Sequence, residues 1–420
     1  MINEAGKMSI HTTESVISLK QQLNRNRSFT ISRYLISSFL NQIQTGQLTI
    51  TFPDGKTICN KTQSRQPEAH IHIHSASAIR HLLFGGSLGF AESYMKGHWD
   101  SPDLAKLIEL IAINGESFAK RLTGNKIMRL FNYLAHKSRK NSRKGSKSNI
   151  EYHYDLGNEF YQKWLDEKMI YSSAIYTSNK DTLEEAQERK LARIIDLLAP
   201  QPQQKVLEIG CGWGALSKRI ASEMQANVLG ITLSKEQKKH SQSVAAQSNI
   251  SNKMRVDLLD YRDVNEKFDR IVSIEMIEAV GEEYWSDYFN VLHKSLTPDG
   301  HAVIQAITID EARFTRYRKS PDFIQKYIFP GGALPTKTLM RDCAARAGLE
   351  ITHQEFFGES YARTLCEWRT RFQRNWSEIQ LIGFNNEFNK MWNFYLAYCE
   401  GAFNAGSIDV GLYVFRPIKT

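Results

Sequence analysis

Apolar and polar residues alternate over Leu48–Phe52, break at Pro53-Asp54-Gly55 and resume over Lys56–Cys59. A period of two around turn chemistry predicts two paired strands. Ala69–His74 predicts a third, with Ile71 and Ile73 on one face and His70, His72 and His74 on the other. Gly85–Trp99 reads as a glycine- and aromatic-rich turn region. A helix then starts near Pro102, where Leu104, Leu107, Ile108 and Ile111 keep helical spacing. Ile127, Leu130, Phe131 and Leu134 do the same beside Lys126 and Arg129, which predicts a basic amphipathic helix running into a Ser/Lys/Arg-rich linker, Lys137–Ser148. Past Ser148 the pattern changes. Short apolar strands at Val206–Ile209, Val228–Ile231, Arg255–Leu259, Arg270–Ile274 and Ala302–Gln305 are separated by helical stretches, among them Ala215–Met224 and Ser234–Ala246. Such alternation predicts a parallel, doubly wound sheet with ligands at the carboxyl ends of its strands. Two last strands, near Leu349–Thr352 and Val410–Phe415, bracket a long helical stretch.

These elements divide the 420 residues into an N-terminal α+β domain (1–116), the basic helix and linker (117–147) and an α/β domain (148–420). With 41% hydrophobic and 24% charged residues, the composition is that of a globular protein. The longest apolar run, Leu107–Ile113, is interrupted by Glu109 and is far too short for a bilayer span. Met1–Ser9 leads into no apolar stretch, so no secretory leader is expected. Five scattered cysteines without a C-x-x-C pair argue for a reducing, cytoplasmic setting and against a disulfide scaffold or zinc cluster. The three strand histidines are read as a solvated face, because no nearby acid or cysteine completes a metal site.

Charge changes this picture once it is located. The net charge is +9, yet ten of the basic residues lie between Glu116 and Glu151, where there is no acid; without them 44 basic residues face 45 acidic ones. A polyanionic surface contacted at one place is implied. A solvated linker is the bland alternative. Nucleic acid is not expected, since no recognisable motif accompanies the charge.

The central chemical signal is Leu207-Glu208-Ile209-Gly210-Cys211-Gly212-Trp213-Gly214. A strand ends, three glycines spaced G-x-G-x-G turn the backbone against a ligand, and Ala215 opens a helix. No P-loop lysine follows, and the G-x-G-x-x-G of dinucleotide enzymes is absent. The arrangement is similar to motif I of class I methyltransferases. Further stretches resemble one family, the cyclopropane-fatty-acyl-phospholipid synthases: His153–Tyr161, Tyr171–Ala174, Gly230–Gln237, Asp260–Asp263, Lys326–Gly332 and Phe357–Tyr361. The likeness runs from about His153 to the C-terminus and, more weakly, through Gly86–Gly89 and Glu92–Met95.

This resemblance implies a class I methyltransferase fold, Rossmann-like, with a seven-stranded, mainly parallel sheet. It implies S-adenosylmethionine-dependent transfer of a methyl(ene) group to the double bond of an unsaturated phospholipid acyl chain. Carried onto this chain, Tyr171, Ser172, Glu208, Gly210, Cys211, Gly212 and Gly214 line the cofactor. Thr232 and Gln237 meet its ribose and methionine, and Tyr261 and Arg262 lie by the adenine. Many such synthases hold bicarbonate as the base through a cysteine, a glutamate, a histidine, an isoleucine backbone and a tyrosine. Here Glu278, Ile307 and Tyr361 match, whereas Ser173 stands at the cysteine position, Gln305 at the histidine position, and Glu275 where glycine is common. Glu275 and Gln305, each ending one of two neighbouring strands, are expected to meet and to supply the proton acceptor; a structural carboxylate is the alternative for Glu275. The stripe Phe384, Phe388, Met391, Trp392, Tyr395 and Cys399 is read as core, with part of it able to line an acyl-chain tunnel. The partners implied are an anionic phospholipid membrane surface, contacted from the cytoplasmic side, and unsaturated acyl chains; a homodimer is left open. Two rival readings stand beside this one: a methyltransferase giving a methylene or methyl-branched product, and a non-catalytic lipid-binding protein that kept the fold.

Overall fold

Proline, aspartate and glycine at 53–55 turn the chain back on itself, so that β1 (Gln47–Thr51) pairs antiparallel with β2 (Thr57–Cys59). The structure is a computed structural model, described here for residues 33–34, 36–62, 64–115, 156–319 and 321–419. β1 also pairs in parallel with β3 (Glu68–Ile73), and β3 pairs antiparallel with the short β4 (Trp99–Asp100), giving the order β2-β1-β3-β4. Leu48, Ile50, Ala69, Ile71 and Ile73 are buried, as the period of two requires. The helix Leu104–Ile113 packs on this sheet, started by Asp103, whose side chain accepts from the amide of Lys106.

Two expectations fail in this unit. Residues 77–95 are helical, not a turn region; the glycines are absorbed by a single break at Gly86, whose φ of 59° and ψ of −144° suit a residue without Cβ. An acid does stand by the histidines. Asp100, brought alongside by β4, accepts from His72 Nδ1 at 3.2 Å and His74 Nε2 at 2.8 Å, while His70 meets Thr51 Oγ1. Among the described residues no group of three or more side chains is placed to hold a metal. The basic helix and linker fall outside the described residues, as do His153, Tyr154 and Asp155.

The chain forms two compact units, 1–125 and 126–420. The second unit is built on a seven-stranded sheet of order β10-β11-β9-β8-β5-β6-β7. Its strands are β5 (Lys205–Ile209), β6 (Asn227–Thr232), β7 (Met254–Leu258), β8 (Phe268–Ile274), β9 (Leu296–Ile309), β10 (Leu349–Phe356) and β11 (Ile408–Pro417). The first five run parallel; β11 alone runs against its neighbours β9 and β10. Apolar side chains on both faces form two cores, one under the helix Trp285–Ser295 and one under the helices Leu183–Leu198 and Ala215–Glu223. β9 is far longer than its apolar run, because pairing with β11 continues to Ile309, opposite Ile408. Gln305 therefore sits within its strand and does not end it. The long helical stretch is three helices, Gly358–Arg374, Trp376–Leu381 and Asn386–Asn404, so Phe384 precedes the last one. The aromatic stripe packs around the buried Phe160, which meets Phe384, Phe388 and Trp392 ring to ring.

Candidate active site

The glycine turn after β5, Thr232 at the end of β6, Glu275 just after β8 and Gln305 in β9 meet at one edge of the sheet of the second unit. After β5 the chain turns through Gly210, Gly212 and Gly214, all at positive φ. The amides of Gly210 and Cys211 both donate to Ile231 O, which ties the turn to β6. At Gly212, with φ of 52°, a Cβ would meet no atom within 4 Å, so the turn borders open space. That is the form required of a cradle for a small ligand. Thr232 and Gln237 lie beside it, joined at 2.8 Å through Oγ1 and Oε1. The Arg262 guanidinium is clamped to Asp260 at 2.6 Å and lies over the rings of Tyr261 and Tyr284. Tyr171 joins hydroxyls with Tyr395 at 2.7 Å. Glu208 and Cys211 are turned inward: the Glu208 carboxylate accepts from Ser217 Oγ, and burial lifts its carboxyl to about 7, while burial also pushes the Cys211 thiol up.

The second half of the site surrounds Glu275, the residue after β8. β8 and β9 place Ile274 opposite Gln305, and the Glu275 amide donates to Gln305 O at 2.9 Å. The Glu275 carboxylate then collects three donors. Oε1 accepts from Ser173 N at 2.8 Å and from Gln305 Nε2 at 2.7 Å; Oε2 accepts from the Tyr361 hydroxyl at 2.5 Å. These donors come from a loop, a strand and a helix far apart in sequence. The Ser173 hydroxyl faces away, to Ala174 O, so this residue contributes its backbone. Burial raises the Glu275 carboxyl above the ordinary range, opposed by Tyr361, Ser173, Lys190 and Gln305.

Glu278, one short turn on, is held by the Ile307 amide, which donates to Oε1 at 2.5 Å. Its Oε2 is buried without a partner, and burial, together with the nearby Glu275 charge, pushes the carboxyl up to about 8. Ser173, Glu275, Glu278, Gln305, Ile307 and Tyr361 are thus one cluster. Of the donor groups implied for bicarbonate, the Tyr361 hydroxyl and the Ile307 amide are taken by protein carboxylates, and the amide of Gln305 at the histidine position is taken by Glu275.

Sequence reasoning missed the layer beneath. Lys190 Nζ donates to Ser172 Oγ at 2.7 Å and Gln187 Nε2 to Ser172 O at 2.9 Å. The available signal was their place among Leu183, Ala186, Leu191 and Ile194, on the buried stripe of an amphipathic helix. Trp213 was overlooked too; its indole donates to Asn158 Oδ1 at 2.8 Å and ties the glycine turn to the 157–162 segment.

Residues 141–412 match the family described as mycolic acid cyclopropane synthetase. A tuberculostearic acid methyltransferase of Mycobacterium tuberculosis, UfaA1, is 36% identical over 371 residues, covering 86% of each chain. The chain belongs to this family. The cyclopropane-fatty-acyl-phospholipid synthase of Escherichia coli is 35% identical, covering 83% of this chain and 87% of the relative. The crystal structure of the mycolic acid cyclopropane synthase CmaA1 complexed with SAH and CTAB superposes with a TM-score of 0.61 at 33% identity, over 64% of this chain and 97% of that one. Residues 35–123 match a separate domain of unknown function. Like the rest of the mycolic acid cyclopropane synthetase family, the protein is an S-adenosylmethionine-dependent methyltransferase of class I fold, acting on unsaturated acyl chains. The open, glycine-lined turn fits that cofactor.

Proposed function

We propose that this enzyme methylates the double bond of unsaturated phospholipid acyl chains and carries its own base, Glu275. The observation that supports it is the Glu275 carboxylate held by Ser173 N, Gln305 Nε2 and Tyr361 OH. S-Adenosylmethionine, when bound, supplies an electrophilic methyl group. An alkene is a weak nucleophile, so the site must hold it at near-attack distance. Methyl transfer leaves a cation on the acyl chain, which the Glu275 charge and the Tyr361 ring stabilise in a site away from water. Glu275 then takes a proton. Loss from the added methyl closes a cyclopropane; loss from a neighbouring chain carbon leaves an alkene. In either case one carboxylate becomes one carboxylic acid, and charge is conserved.

Glu275→Gln is expected to abolish turnover while S-adenosylmethionine binding, followed by calorimetry, stays nearly intact. The parent should keep its rate when bicarbonate is stripped from the buffer. An active Glu275→Gln enzyme, or a parent that needs bicarbonate, rejects the reading.

A methylene or methyl-branched product is the second reading. It is favoured by the M. tuberculosis relative, which is named for a methyl transfer and not for a cyclopropane. Mass spectrometry and NMR of lipids from expressing cells fed methyl-labelled methionine separate the two products. The third element of the proposal is place: a peripheral enzyme on the cytoplasmic face, drawn to anionic lipid by residues 120–147, with a homodimer left open. Among the described residues no helix is long and apolar enough to cross a membrane. Each Lys or Arg near an anionic surface is worth about 1 kcal/mol. Neutralising Lys137, Arg139, Lys140, Arg143, Lys144 and Lys147 should therefore weaken sedimentation with anionic vesicles. Equal sedimentation with neutral vesicles removes this element.

A further inference from the structure

The helix Leu183–Leu198 buries two polar residues one turn apart. Gln187 is 0% and Lys190 1% exposed, although the helix has a solvent face on which charges are free to sit. Both side chains reach Ser172, the amide to its carbonyl oxygen and the ammonium to its hydroxyl. The next peptide group, Ser173 N–H, donates to Glu275 Oε1. An unbroken path of contacts therefore leads from Lys190 to the carboxylate at the centre of the site.

Burying an ammonium is costly, and an apolar residue of similar length would pack this helix without that cost. What only the lysine adds is charge. Burial drives it down to about 8, against the pull of Glu275, Asp166 and Glu208. The titratable groups facing Glu275 are Tyr361 from the helix Gly358–Arg374, Glu278 just after β8, Cys399 from the helix Asn386–Asn404, and Lys190. Lys190 is the cation among them.

We infer that Lys190 is a positioning residue for the base: its ammonium, seated on Ser172, keeps Glu275 a carboxylate before the cofactor arrives. The inference rests on the reading of Glu275 as base. Without the ammonium, Glu275 is a buried carboxylate with no cationic counterpart among the described residues, and a proton is driven onto it. The base would then be spent in the free enzyme.

The test is the pH dependence of kcat/KM for S-adenosylmethionine, which reports groups of the free enzyme. Lys190→Met should move the acid limb upward by about one pH unit or more, about a tenfold loss of rate per unit below the limb. Gln187→Leu, which removes the other support of Ser172 but no charge, should lower the rate and leave the limb in place. Should Lys190→Met fail to fold, Lys190→Gln keeps a donor for Ser172 but no charge, and should move the limb the same way. An unmoved limb, or an equal shift in Gln187→Leu, overturns the assignment. An inactive Glu275→Gln with an unmoved Lys190→Met limb sinks Lys190 alone, whereas an active Glu275→Gln sinks the base reading itself.

Discussion

At position 275 the backbone has a φ of 49°, in the left-handed region that costs a residue with a Cβ about 1–2 kcal/mol. Three hydrogen bonds hold the side chain there, and strain of this kind gathers at functional sites. Glycine at 275 relieves the strain and vacates the space between Ser173, Gln305 and Tyr361. Glu275→Gly is therefore expected to be inactive in bicarbonate-free buffer and to regain part of its rate as bicarbonate is added. Glu275→Gln keeps that space filled and should not respond. Turnover followed against bicarbonate concentration checks both, and a glycine variant indifferent to bicarbonate rejects the shared volume. Glu275 was legible in the sequence because a carboxylate stood where relatives commonly have glycine, and Gln305 because adjacent strands of this sheet are neighbours. Lys190 was not. Its place on the apolar stripe with Leu183, Ala186, Leu191 and Ile194 marks burial, but no sequence feature names Ser172 as the partner it is buried against.

Single elements set how firmly those side chains are held. The helix Leu183–Leu198 begins with a reciprocal cap: the Thr182 hydroxyl accepts from Glu185 N, and the Glu185 carboxylate accepts from Thr182 N. Thr182→Ala should cost about 1 kcal/mol, read as a lower denaturant midpoint with unchanged slope. A midpoint equal to the parent's removes the cap from the account. Strands proved easier to read than the helix Ser77–Met95. Alternation and turn residues mark a strand locally, whereas Gly85, Gly86 and Gly89 hid a helix that long-range packing restores. The true extent of β9 was hidden for a similar reason, since it is set by β11, about a hundred residues away in the chain.

Over the whole molecule, buried carboxyls link stability to pH. Glu278 rises from 4.5 to about 8, so the folded state keeps a proton that the unfolded chain releases. The stability this contributes is fully present below pH 4.5 and is lost as pH rises through about 8. Glu208, raised to about 7, acts in the same direction, while His301, lowered to about 4, acts oppositely at more acid pH. Glu278→Gln should thus show a smaller fall in melting temperature between about pH 5 and about pH 8.5 than the parent does. An identical fall in both proteins rejects the buried, protonated Glu278.

β11 also has a consequence in time. It follows β5–β10 in the chain, yet it lies inside the sheet, against the β9 stretch that carries Gln305 and Ile307, with Leu412 opposite Gln305 and Val410 opposite Ile307. During synthesis the glycine turn and β5–β8 leave the ribosome long before the partner that fixes the far wall of the site. A growing chain can therefore assemble its glycine turn before β11 emerges, but not the β9–β11 pairing beside Gln305 and Ile307.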